Sequence, residues 1–127
     1  EIYSCYLKDP IWFRGVGDLV LKLDEMCNWV GMPHATTDPR FLNLETERRY
    51  REASSHHPQA DRSNLTYTMD QIPFKQALKA REVLIVYVKY RQFSSLQGSI
   101  RGKITKGKVV NFRSALELMR MISMIQL

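Results

Sequence analysis

The side chains that could do chemistry are few, and their spacing does not gather them. His56 and His57, followed by Asp61, form the one histidine cluster. A transition-metal site needs three or four ligands held rigidly. Two adjacent histidines in a polar stretch with no nearby cysteine read instead as a solvated loop, and His34 is a lone loop histidine. Cys5 and Cys27 lack Cys-x-x-Cys spacing, so they are expected to be buried, reduced thiols rather than a redox or metal pair; a single disulfide between them is the alternative.

Acid–base catalysis needs two carboxylates facing one cleft. Asp18, Asp24 and Glu25 fall on or near one helix, with the last two on its wet face. Glu45, Glu47 and Glu52 interleave with Arg48, Arg49 and Arg51 as on a solvated surface. There is no Gly-x-Ser-x-Gly elbow and no phosphate-cradling Gly-x-x-x-x-Gly-Lys; Gly102-Lys103 and Gly107-Lys108 belong in or beside a hairpin. No catalytic residue, metal ligand or cofactor site is therefore assigned.

Basic residues offer the other chemistry. Lys89, Arg91, Arg101, Lys103, Lys106 and Lys108 form a candidate nucleic-acid footprint, with Tyr87 or Tyr90 as a stacking surface. The competing reading is that edge lysines deter sheet-to-sheet aggregation. Across the whole chain, Lys and Arg are scattered and interrupted by acids. The chain has 127 residues and a net charge of +6, with 44% hydrophobic and 25% charged residues. That is the composition of one globular domain spanning 1–127, and the basic balance favours an anionic partner. No apolar run approaches the ~20 residues that span a bilayer, and no export signal is visible. A cytoplasmic protein with no membrane partner is expected, its start at Glu1 trimmed or processed.

The elements that must position these residues follow from periodicity. Ile2–Leu7 reads as a short strand. The helix Gly17–Val30 buries Leu19, Val20, Leu23, Met26, Cys27 and Val30 on one face; Gly31 and Pro33 end it. Residues 34–43 read as loop, Glu45–Glu52 as a solvated helical turn or two, and Ala53–Asn64 as exposed chain, so that about 45–64 forms a polar, mobile segment. Leu65–Met69 is expected to be extended and Phe74–Ala80 a short helix after Pro73. Val83–Gln92 is apolar on both faces, which predicts a strand in the middle of a covered sheet. Phe93–Ser95 bends the chain. Leu96, Ile100 and Ile104 then point inward, with Gly98 and Gly102 marking a bulge or a close backbone approach. Lys108–Phe112 returns as a third strand. A final helix over Phe112–Gln126, capped by Asn111 or Ser114, is apolar over most of its girth. Ala115, Leu116, Met119 and Ile122 make its main stripe. It is expected to dock on the sheet, and a homodimer would cover what remains.

The run Arg91-Gln92-Phe93-Ser94-Ser95-Leu96-Gln97-Gly98, followed by Phe112-Arg113-Ser114-Ala115-Leu116-Glu117-Leu118, resembles a family of short bacterial proteins of uncharacterised activity. Their pattern is an Arg-Gln-Asn-x-Ser-Trp-Gln-Gly-like turn and a Phe-Arg-Ser-x-Leu-Glu-Leu helix start. Here Phe93 replaces the Asn and Leu96 the Trp, and the resemblance covers about the last 40 residues. It implies the hairpin-plus-helix unit and no activity. Ser95 and Gly98 also resemble part of the Asp/Asn-x-Ser-x-x-Gly motif of PilZ-type cyclic-dinucleotide receptors. Phe93 replaces that motif's acid or amide, and no arginine pair four apart grips the phosphates.

The sequence thus predicts an α+β domain, a small antiparallel sheet packed by an N-terminal and a C-terminal helix. It also predicts a non-enzymatic binding or accessory protein whose partner is a protein or a nucleic acid. The expected contact residues are Lys89, Arg91, Ser94, Ser95, Gln97, Arg101, Lys103 and Lys108. A nucleotide sensor with a degenerate cyclic-dinucleotide motif is the alternative, and an enzyme ranks third.

Overall fold

A computed structural model describes residues 1–55 and 80–125. The fold is α+β: helices α1 (Val16–Val30), α2 (Leu44–Ser55) and α3 (Ala115–Ser123) flank a three-stranded antiparallel sheet ordered β1 (Leu84–Tyr90), β2 (Gln97–Gly102), β3 (Val110–Phe112). No helix among the described residues is long and apolar enough to cross a membrane.

The first helix forms where its apolar spacing places it. Asp18 Oδ2 accepts the Arg14 N–H at 2.9 Å and fixes the entry. Gly31 closes the helix in the left-handed region, φ 87°, its N–H donating to the Cys27 carbonyl at 2.9 Å, a conformation that costs glycine little. The buried face is the expected one, with Trp29 added to it. The solvated turn or two at 45–52 extends to a 12-residue helix, α2, with no buried residue. Asn43 Oδ1 caps it by accepting the Thr46 N–H at 2.9 Å. Residues 45–55 are thus helical, whereas the expectations for 56–64, for Leu65–Met69 and for the Phe74 helix up to 79 lie outside the described residues, as do His56, His57 and Asp61.

Leu84, Val86 and Val88 pack with Ile100, Phe112 and Leu118 against Leu19, Val20 and Leu23 of α1. A second cluster joins Leu7 to Met26 and Trp29. Gly98 is required here: a Cβ would lie 1.9 Å from the Tyr87 carbonyl oxygen, and the Phe112 ring covers the same spot. This is the close backbone approach its position in the strand suggested. The β1–β2 register runs from Leu84↔Gly102 to Val88↔Gly98, then skips Lys89 to pair Tyr90 with Gln97. One residue is extra, a bulge that re-aims the side chains after it.

Four expectations need correction. Ile2–Leu7 is not a continuous strand but contains turns, with an isolated bridge in which Ile2 and Ile11 exchange both backbone hydrogen bonds. Among the described strands β1 is an edge, not the centre, and its second apolar face (Ile85, Tyr87) is open. Ile104 does not continue the inward row, because β2 ends at Gly102, where Thr105 Oγ1 bonds both the N–H and the C=O at 3.0 Å and turns the chain. The last helix starts at Ala115 rather than Phe112, which belongs to β3. Its Leu116 is 62% exposed while Leu118 is fully buried. Two residues at ~100° each put them on nearly opposite sides, and Met124 joins Leu116 on the outer side where a second copy was expected.

The cap of α3 is Ser114, whose Oγ accepts the Glu117 N–H at 3.1 Å. Hydrogen bonds from the Arg113 side chain and backbone hold the Glu117 carboxyl below its ordinary pKa. Leu118→Ala should lower unfolding free energy in urea by about 2–5 kcal/mol, whereas Leu116→Asp should change it by less than ~1 kcal/mol.

Candidate nucleic-acid interface

Two of the expected contact residues are turned to structural use. Arg91 is 4% exposed. Its Nε donates to Asp24 Oδ1 at 3.0 Å, Nη1 to the Pro33 carbonyl at 3.0 Å and Nη2 to Asn28 Oδ1 at 2.8 Å. Asn28 Nδ2 in turn donates to the Tyr50 hydroxyl at 2.8 Å, which faces Asp24 Oδ2 at 3.5 Å. The four side chains close a polar ring joining α1, α2 and the end of β1. The backbone does the same work: the Arg91 carbonyl accepts the Thr36 N–H at 3.1 Å beside a parallel bridge to Ala35. A buried guanidinium is tolerable only when paired and hydrogen-bonded, and α1 supplies both partners from the face read as wet. Ser95 is the second: its Oγ accepts the Ala115 N–H at 2.7 Å and so satisfies an open donor at the start of α3.

Ser94 and Gln97 hold the bend between them. Ser94 Oγ lies 2.9 Å from Thr37 Oγ1. Gln97 brackets Gln92, accepting its N–H at 2.8 Å and donating to its carbonyl at 2.9 Å. With Ser95 N donating to the Gln92 carbonyl at 3.1 Å and both Phe93 (φ 57°) and Ser94 (φ 55°) left-handed, the bend has the form of a type I′ turn. Ser94, Ser95 and Arg91 also line a cleft of about 360 Å³ with Asp24, Tyr50 and Thr37. Both of its arginines are already paired, Arg91 with Asp24 and the neighbouring Arg51 with Glu47 at 3.0 Å, while Asp38 adds a further carboxylate to its rim.

The remaining expected residues, Lys89, Arg101, Lys103 and Lys108, stay at the surface with Lys106. Between residues 83 and 116 there are seven cations (Lys89, Arg91, Arg101, Lys103, Lys106, Lys108, Arg113) and no Asp or Glu. The interruption by acids seen over the whole chain stops at the sheet. Arg91 is paired inside and Arg113 binds Glu117 at 3.1 Å; none of the other five makes an ion pair among the described residues. The contrast with α2 is direct, since Arg48, Arg49 and Arg51 are each paired along their own helix.

Comparison with family models, with curated proteins and with solved structures finds no match. The surface must therefore be read from its own geometry. Register places Ile85 opposite Arg101, Tyr87 opposite Ser99 and Tyr90 opposite Gln97, all on the face turned away from the helices. Tyr87 is 60% exposed and Tyr90 57%. Lys89 Nζ sits 6.0 Å from the Tyr87 ring centroid, at the limit of a cation–π contact. Lys103, Lys106 and Lys108 ride the β2–β3 turn at the far end. The arrangement is an open sheet face with two aromatic rings and cations at its margin.

Replacing Arg91 with Ala should cost about 2–4 kcal/mol in urea unfolding, the scale of breaking a buried pair with one partly solvated partner. Lys should not restore it, because one ammonium cannot match three acceptors in a planar fork. Burial pushes the Cys27 thiol from 9.0 up to about 11, with Arg91 opposing and Asp24 reinforcing the shift. The neutral thiol is thus the form the fold favours. Its contribution to stability should be complete below pH 9 and fade as pH rises toward 11. In the folded protein at pH 8 a thiol reagent should label the half-exposed Cys5 and spare Cys27.

Proposed function

We propose that this is a non-enzymatic accessory protein that binds single-stranded nucleic acid on the outer face of its sheet. The observation that carries the reading is the acid-free segment 83–116, in which Lys89 lies by the exposed Tyr87 ring, Arg101 shares its face, and Lys103, Lys106 and Lys108 follow in the turn after β2. Stacking on tyrosine needs bases whose faces are open, as in single strands, while the cations follow the phosphates without reading sequence. Aggregation defence alone would ask for edge lysines but not for two exposed rings between them. The reading carries a cytoplasmic location with it.

The cyclic-dinucleotide alternative has less support. Ser95 accepts the Ala115 N–H at the start of α3 and Gly98 admits the Tyr87 carbonyl, so each residue matching that motif has a structural task. We likewise take the resemblance to the short bacterial family as one of turn and helix start, with its binding face supplied by the neighbouring strands.

Binding of a fluorescein-labelled oligothymidylate, followed by anisotropy over a salt series, tests the proposal. Engagement of five cations should give a log–log salt slope of roughly −3.5, at about −0.7 per phosphate contact. Tyr87→Ala should weaken binding by ~1–3 kcal/mol, and Arg101→Ala should flatten the slope by about 0.7. A parent protein that leaves the oligonucleotide free at low salt would remove the reading; capture of a protein partner by the same face would replace it.

A further inference from the structure

We infer that Phe93 is a third stacking ring of this surface, held out from the fold by a strained turn; the inference rests on the single-strand reading above. Phe93 is 86% exposed and adopts φ 57°, followed at once by Ser94 at φ 55°. Side chains with a Cβ are disfavoured there, and a bulky one is an outlier. Turns of this form ordinarily take Asn and Gly at the two positions. The ring therefore gives the fold no burial while its backbone is strained.

Such a conformation persists only when its surroundings over-determine it, and that combination marks ligand-contacting sites. Here the surroundings are complete. Gln97 grips both backbone groups of Gln92, Ser94 is tied to Thr37, Ser95 is tied to the N-terminus of α3, and Arg91 is locked to α1. The consequence is a phenyl ring carried on a backbone with little freedom to lose on binding. It stands at the Tyr90–Gln97 end of the sheet, three residues beyond Tyr90, where a strand crossing Tyr87 and Tyr90 would leave the face. Three of the cations, Lys103, Lys106 and Lys108, lie at the opposite end, while Lys89 stands beside Tyr87. One end of the site thus offers charge to phosphates and the other offers a ring to a base.

The test compares the parent protein, Phe93→Gly, Phe93→Trp and Tyr87→Ala, each measured for binding of the labelled oligothymidylate and for thermal unfolding. Phe93→Gly should bind about 5- to 150-fold more weakly. It should melt within about 4 °C of the parent, since relief of the left-handed strain offsets the entropy glycine adds to the unfolded chain. Phe93→Trp should bind at least as tightly as the parent. Unchanged affinity in Phe93→Gly, with Tyr87→Ala weakened, overturns the role of Phe93 and leaves the sheet reading standing. A larger fall in melting temperature would assign the ring to the fold, and a Trp variant as weak as Gly would deny stacking; either overturns the inference. Failure of the parent to bind removes both proposals together.

Discussion

A guanidinium cannot be buried with its donors unmet, and the donors of Arg91 are met by three acceptors from two parts of the chain: Asp24 and Asn28 on α1, and the Pro33 carbonyl beyond it. Tyr50 extends the ring to α2. Because the network joins the end of β1 to α1, to the segment after it and, through Tyr50, to α2, it fixes their mutual position in a way that apolar packing, which has no direction, does not. The turn after β1 leaves directly from this anchored residue, and the same side chain lines the cleft.

That anchoring divides the charge of the sheet segment. One cation goes inside, where it organises the fold, and one pairs with Glu117 at the cap of α3. The other five have no partner among the described residues. Exposed ion pairs stabilise little, so leaving five cations unpaired costs the fold little as well. It does leave a directed positive field over one face. The paired arginines of α2 carry no such field. Position in the fold, rather than the number of basic residues, separates the two regions.

The two faces of the sheet show the same division. Inside, Gly98 lets β1 approach β2 and Phe112 lies over the gap. Outside, the bulge at Lys89 re-aims the end of β1, and the left-handed turn places Phe93 beyond it. Regular pairing lies in the interior, and irregular backbone gathers at the rim beside the exposed rings, which is where proteins tend to hold strain.

Local pattern by itself determined the α+β class, the buried face of α1 and its stop at Gly31; it narrowed the cap of α3 to Asn111 or Ser114 and the role of Gly98 to a bulge or a close backbone approach. Each depends on residues a few positions apart, or on a backbone requirement that glycine alone meets. The sequence also contained the acid-free run from 83 to 116, although whole-chain charge counting obscured it. Only tertiary structure decided that Arg91 lies inside, since its partners stand 58 to 67 residues away in the chain and an arginine on its own reads as solvated. The same holds for Leu116 against Leu118: an apolar stripe that nearly encircles a helix does not say which side meets the sheet. Among the described strands, strand order likewise made β1 an edge, with Ile85 and Tyr87 exposed on its second face. Pairing across long loops is governed by contacts that local periodicity does not encode.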